Sequence, residues 1–322
     1  MIVERKKFFE VQKIFQDIPY NQTEEWLESL LLDEKNIIYF VDSIEKPKIC
    51  YWGIIFKRPF IKRHVLINGV CVKDIISSQD IMHHYREIIS SGYELIEISD
   101  IGFYDANFEV GFRRAGFIRP LGMSESPLTM IIKLQEPFVF HRNWRRNVKK
   151  SMEYDIQFKY IEVPTVNDAE IFVKLFNELK ERKKIGFNIT VNSLMKLFLY
   201  DRFKLFFVHD KKGNYLAGRI GYICRNKVYD VFAANSYDGI KCGAVYYLQE
   251  KIFFYLRDIG MEIFDYGHIP PGTDSLDDIY VSKSYSGGIP ILYNGQWQYS
   301  NSKILEFAYC LYKYLLHKNK RY

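Results

Sequence analysis

The chain is poor in several things that would have named a function at once. Its 322 residues include only five cysteines, Cys50, Cys71, Cys224, Cys242 and Cys310, widely spaced, odd in number and never arranged as C-x-x-C. That pattern offers neither a disulfide framework nor a zinc site, and it fits a reducing cytosol. No uncharged stretch reaches the roughly 18 residues a membrane span needs, and the opening Met-Ile-Val-Glu-Arg-Lys-Lys-Phe-Phe has no apolar run of signal-peptide length. The expectation is therefore a cytoplasmic protein. G-x-x-x-x-G-K-[ST], G-x-G-x-x-G and G-x-S-x-G are all absent, which removes the phosphate loop, the dinucleotide fingerprint and the hydrolase elbow. Charge is nearly balanced: 45 Lys and Arg against 39 Asp and Glu leave +6, an excess that suits a phosphate-bearing partner and equally an ordinary soluble protein.

What is present is apolar and aromatic. Hydrophobic residues make up 48% of the chain and aromatic residues 17%, with 25 Tyr and 25 Phe. A chain of this length favours two compact units, each able to bury a core. Two pairs of segments match at nearly one offset: Ile37-Ile-Tyr-Phe-Val-Asp42 with Leu205-Phe-Phe-Val-His-Asp210, and Glu97-Ile-Ser-Asp-Ile-Gly102 with Glu262-Ile-Phe-Asp-Tyr-Gly267. Tandem copies of one domain explain this. Each copy reads as a helix, a few strands joined by short turns, a second helix, then a strand ending in Asp. The fold class expected is mixed α/β (α+β). The domains expected are 1–136, 137–301 (the catalytic one) and a helix with a basic tail over 302–322.

Two segments carry charge patterns of interest. His141-Arg-Asn-Trp-Arg-Arg-Asn-Val-Lys-Lys150 is a basic helix in which Arg142, Arg145, Arg146, Lys149 and Lys150 form either a solvated face or a patch attracting phosphate or RNA. Lys303–Tyr322 combines an apolar helical stretch with a basic end. It either packs on the body or makes a peripheral membrane contact. The pair His83-His84 cannot chelate together on a helix, and reads as a surface or cap feature. Near the C-terminus, the apolar strand ending at Asp265 is followed by a loop expected to deliver Lys283 beside the Gly287-Gly288 turn.

The duplicated halves, Ile18-Pro-Tyr-Asn-Gln-Thr-Glu-Glu-Trp26, the basic helix, Leu179-Lys-Glu-Arg182 and the run Asp265-Tyr-Gly with Tyr280-Val-Ser-Lys283 together resemble FemX and the wider FemAB aminoacyl transferases. The resemblance implies tandem GNAT-like acyltransferase domains, each a mixed sheet flanked by helices. It also implies transfer of an aminoacyl group from aminoacyl-tRNA to an amine of a cell-wall precursor, without metal or bound organic cofactor. Related acyltransferases of BioF2 type use other acyl donors, so the fold leaves the donor open.

The resemblance assigns roles residue by residue. Lys283 falls where the family has its important lysine; a cation there would stabilise an acyl oxyanion or hold the donor's anionic groups. Arg182 matches an arginine that meets the acceptor's negative groups. Tyr229 and Phe232, just before Ala-Ala-Asn-Ser236, fall where the family presents an aromatic hydroxyl; should Phe232 be the match, Tyr229 or Ser236 would supply it. Asp265 and His268 are general-base candidates. Lys241, with the amides of Gly243 and Ala244, could meet a donor phosphate, although Asp238-Gly-Ile-Lys-Cys-Gly-Ala244 is a degenerate version of the GNAT diphosphate turn. Trp26 marks the acceptor region, yet Leu-Glu-Ser-Leu-Leu31 follows it where relatives have a lysine. Asn68-Gly69-Val70 replaces the relatives' Gly-Pro, and no coiled-coil arm is inserted. Three functions remain open on this reading: aminoacyl transfer from tRNA to a cell-wall or cell-surface glycoconjugate; N-acyl transfer from acyl-CoA or a carrier thioester in surface polysaccharide synthesis; and a non-catalytic tandem GNAT that binds RNA or anionic lipid.

Overall fold

In each half, runs of β-branched and aromatic residues separated by turn residues fold as an antiparallel meander, and a helix then returns the chain to a parallel fourth strand. The computed structural model describes residues 1–58, 61–73, 75–120, 126–269 and 277–318. The first half runs β1 (Ile2–Val3), α1 (Arg5–Gln12), α2 (Glu24–Ser29), β2 (Ile37–Val41), β3 (Ile49–Arg58), β4 (Ile61–Asn68), β5 (Cys71–Val72), α3 (Ser78–Ser90), β6 (Leu95–Phe103), α4 (Ala106–Ala115) and β7 (Leu128–Lys133). The second runs α5 (Arg142–Met152), β8 (Gln157–Ile161), α6 (Val166–Lys183), α7 (Val191–Leu197), β9 (Phe203–His209), β10 (Tyr215–Cys224), β11 (Lys227–Asn235), α8 (Tyr237–Lys241), α9 (Ala244–Asp258), β12 (Ile263–Asp265), α10 (Asp277–Ser284), β13 (Ile289–Ser300) and α11 (Lys303–Lys318).

The internal repeat is real at the level of topology. β2, β3 and β4 form one antiparallel meander with β6 parallel to β4, and β9, β10 and β11 form another with β12 parallel to β11. The helices α3 and α9 are the crossovers, and each packs an apolar face on its own sheet. The sheets are joined edge to edge in the order β1-β2-β3-β4-β6-β13-β7-β12-β11-β10-β9-β8. The joining strand is β13: Ile289–Leu292 pair with β7, and the remainder from Tyr293 pairs with β6. β7 itself pairs with β12, so strand pairing crosses the chain position 136/137 in both directions.

Three local expectations change. Lys283 is delivered by the last turn of α10, a helix, and not by a loop. β6 does not end at its aspartate but continues past Asp100 to Phe103. His83 is exposed as expected, but His84 is 4% exposed and its Nε2 meets the Tyr51 hydroxyl at 3.1 Å. The helical turn that parts the two rings places one of them in the core. The expected C-terminal helix is present over Lys303–Lys318, and residues 319–322 of the expected tail lie outside the described residues.

Candidate active site

The parallel pairing of β11 with β12 covers only Lys227↔Ile263, Val228↔Phe264 and Tyr229↔Asp265, whereas β11 runs on to Asn235. On the β12 side, its backbone edge from Asp230 onward therefore has no neighbouring strand among the described residues. A β-bulge at the same level explains the parting: Ile220 pairs with Phe232 and Gly221 with Asp230, leaving Val231 as the extra residue. A bulge bends its strand and raises the local twist, which carries β11 away from β12. In the first half the equivalent pair stays closed over five registers, His64↔Leu95 to Asn68↔Ser99. Only the second half has the opening.

Lys283 stands at the root of this opening. Its Nζ donates to the Tyr266 carbonyl at 3.0 Å and lies 4.9 Å from the centroid of the Tyr266 ring. The Tyr266 hydroxyl donates to Ser286 Oγ at 2.9 Å, and Ser286 Oγ donates in turn to the Lys283 carbonyl, so the lysine is tied at both ends to one tyrosine. Gly287 makes the turn that permits this: its φ is +83°, and a Cβ there would approach the Val139 carbonyl oxygen to 2.9 Å. The residue as a whole is half-buried, but its ammonium end is enclosed. Burial lowers its pKa to about 8; the Asp230 and Asp265 carboxylates oppose that shift and the Arg219 guanidinium adds to it. Asp230 and Arg219 are themselves an ion pair with side chains 6% and 14% exposed, and burial raises the Asp230 pKa against the pull of both cations.

Asp265 is completely buried. Its Oδ1 accepts from Thr129 Oγ1 at 2.6 Å, from the Tyr293 hydroxyl at 2.7 Å and from the Gly267 amide at 2.9 Å, while Oδ2 has no hydrogen-bond partner among the described residues. Burial raises its pKa despite the three donors. A carboxylate with one saturated and one unsatisfied oxygen can take a proton from a neighbour. The Tyr229 ring is buried beside it by register, with its phenol pushed to high pKa by desolvation.

The other expected residues separate into groups. Trp26, from the first half, stacks on Phe232 with centroids 5.8 Å apart and planes at 20°; Phe187 closes on Phe232 at 6.4 Å. Phe232 thus packs where the two halves meet. Arg182 Nη2 donates to Asn235 Oδ1 at the far end of β11, and its buried Nε has no partner among the described residues. Ser236 caps α8, accepting from the Gly239 amide at 3.0 Å and donating to the Leu216 carbonyl at 3.2 Å, which leaves it a structural role. His268 Nδ1 lies 2.7 Å from the Ser126 carbonyl, and the ring stands edge-on to Tyr293 at 5.1 Å. Lys241 is exposed over the Tyr237 ring at 4.2 Å.

The expected phosphate turn is engaged within the chain. The Gly243 amide donates to the Ile240 carbonyl at 3.1 Å, and the Asn147 carbonyl of α5 closes on Gly243 so that a Cβ there would lie 2.5 Å from it. The Gly243 amide is engaged before any donor arrives. On α5, Trp144 and Val148 are buried while Arg142, Arg145, Arg146, Lys149 and Lys150 all project outward, with no acidic partner among the described residues.

Sequence reasoning missed Arg219, Asp230, Tyr266, Ser286, Thr129 and Tyr293. Opposite charges inside the apolar strands β10 and β11 were a usable signal for the first two. Thr129 and Tyr293 carried none, because only the sheet order brings them to Asp265.

No family model and no curated protein matches the chain. Solved structures do. FemX superposes with a TM-score of 0.73 at 14% identity, over 96% of this chain and 99% of that one. L-PGS from Bacillus licheniformis gives 0.66 at 12% identity, over 98% and 97%. A tandem GNAT protein from the clavulanic acid biosynthesis pathway gives 0.54 at 6% identity, over 94% and 98%. At such identities the likeness is one of fold, and the fold is that of tandem GNAT-like domains, two mixed sheets flanked by helices in a single chain.

Proposed function

We propose that this chain is an acyltransferase that moves an aminoacyl group from aminoacyl-tRNA to an amine of a cell-wall or cell-surface glycoconjugate precursor. The observation that carries the reading is the parting of β11 from β12 with a lysine at its root. An extended acyl donor can lie along the unpaired β11 edge, its carbonyl oxygen directed at Lys283. The acceptor amine attacks that carbonyl. A C–N bond forms, the negative charge on oxygen is met by the ammonium, and collapse breaks the C–O bond to the terminal ribose, whose oxygen leaves with the proton released by the amine. Asp265, through its unsatisfied Oδ2, is the group placed to hold that proton in passing.

Two features favour tRNA over a coenzyme A thioester. The Gly243 amide, which would grip a diphosphate at the start of α9, is internally bonded, and the Asn147 carbonyl closes on the same glycine. The five exposed cations on α5, without acidic partners among the described residues, suit an RNA backbone. Arg182, held by Asn235 at the end of β11 and with an Nε that has no partner among the described residues, is assigned to the acceptor's anionic group. The test is to mix the protein separately with charged tRNA and with acetyl- and long-chain acyl-CoA and follow donor loss beside Lys283→Ala. Loss of aminoacyl-tRNA that depends on Lys283 is the expected result. Turnover of acyl-CoA alone would replace the donor, and turnover of neither would remove the enzymatic reading.

A further inference from the structure

The helix α11 is mounted with its apolar side outward. Ile304 is 82% exposed, Phe307 72%, Leu311 46%, Tyr312 46% and Leu315 54%. At 100° per residue these positions, with exposed Ala308, fall on one continuous arc, and no charged residue interrupts it between Ile304 and Leu315. The inward side is narrow by comparison. Tyr309 reaches the small cluster of Ile61 and Leu95 and donates its hydroxyl to Glu97 Oε2 at 2.7 Å, and Cys310 accepts weakly from Gln298 Nε2. A surface helix in water normally turns the other way, and a contiguous apolar patch of this kind marks an interaction site.

We infer that α11 is a docking element for an anionic lipid bilayer, lying in the interface plane. Charge selects this occupant over an apolar protein groove. Residues 303–322 hold Lys303, Lys313, Lys318, Lys320 and Arg321 against the single carboxylate of Glu306, which Lys303 pairs at 3.5 Å. An outward apolar arc with cations along the same segment is the composition of a helix that sinks its apolar face to the acyl boundary while lysines meet lipid phosphates. The helix does not cross the bilayer, since no described helix is long and apolar enough to do so. Its inner contacts through Tyr309 tie the bilayer plane to the first-half sheet and fix how the body stands on the surface.

The test is co-sedimentation of the full chain with vesicles of phosphatidylcholine alone and of phosphatidylcholine mixed with phosphatidylglycerol, for the natural protein and a Phe307→Glu, Leu311→Glu variant. The natural chain is expected to pellet with the anionic vesicles and to be weakened by salt. The variant is expected to lose about tenfold or more in vesicle affinity with an unchanged melting temperature, because both side chains face solvent. Absence of binding to anionic vesicles, equal binding by the variant, or a concentration-dependent dimer that the variant abolishes while vesicles capture neither protein would each overturn the inference. The assay uses no acyl donor, so its outcome is independent of the reaction proposed above.

Discussion

Lys283 keeps its charge on terms set by its neighbours. With a pKa lowered by burial to about 8, the ammonium form dominates at neutral pH and is lost above that value. Transfer that relies on it is expected to fall as pH rises through about 8, and Lys283→Met to lower the rate by about 10²–10³-fold with binding of donor largely kept. A pH–rate profile beside the variant's checks both. The same shift has a stability sign. The unfolded lysine holds its proton to higher pH than the folded one, so this group's contribution to stability increases as pH goes from about 8 toward 10.5. Arg219→Ala would leave Asp230 buried without its partner and is expected to cost about 3 kcal/mol in urea unfolding, with Arg219→Met, Asp230→Leu recovering much of it. His84 acts in the opposite pH range. Burial drives its pKa down to about 3, so the unfolded chain binds an extra proton between about 6.5 and 3 and stability drains away across that interval. A His84→Gln variant should show a flatter stability curve there. Around Lys283 the sequence offered only the lysine itself and two opposite charges inside apolar strands; that Arg219 and Asp230 meet each other shows only after a hairpin brings β10 beside β11.

At the scale of elements, the bulge at Val231 decides whether there is a site at all. Deleting Val231 restores regular pairing of β10 with β11 and removes the bend that parts β11 from β12. The deletion is expected to abolish transfer while the chain still folds, measured by activity against circular dichroism and melting. The crossover helices show how similar elements diverge. α3 begins with a capping box, Ser77 and Asp80 satisfying each other's backbone groups, whereas α9 begins at Gly243 with φ +80° and no side-chain cap. The meanders, both crossover helices and the basic helix could be read directly, since hydrophobic periodicity and turn residues are local. The helix α10 could not. The glycine turn after it read as a loop, and Lys283 is near enough to that turn for the two to merge. Phe232 drew attention through a likeness, and its place against Trp26 comes from contact between the halves, which no local pattern encodes.

For the molecule as a whole, two buried aspartates occupy equivalent strands: Asp100 on β6 and Asp265 on β12, each with its pKa raised by burial. Adjacent residues of β13 hold them. Tyr293 donates to Asp265 Oδ1 at 2.7 Å, and Asn294 Nδ2 to Asp100 Oδ2 at 2.8 Å, at the point where β13 passes from one sheet to the other. The repeat was visible in the sequence because its strands kept their apolar pattern; this clasp was not, because its parts are far apart in the chain. It also means that neither repeat completes its own sheet or holds its own buried carboxylate without the other. A fragment ending after β7 would lack the strand that completes its sheet and hold Asp100 without Asn294, and a fragment beginning at α5 would lack β7, leaving Asp265 without Thr129. Neither piece is expected to be a viable protein, and the intact chain should melt in one transition. The exchange of strands across the junction makes the two repeats a single folding unit, which a cut between them would undo and not merely divide.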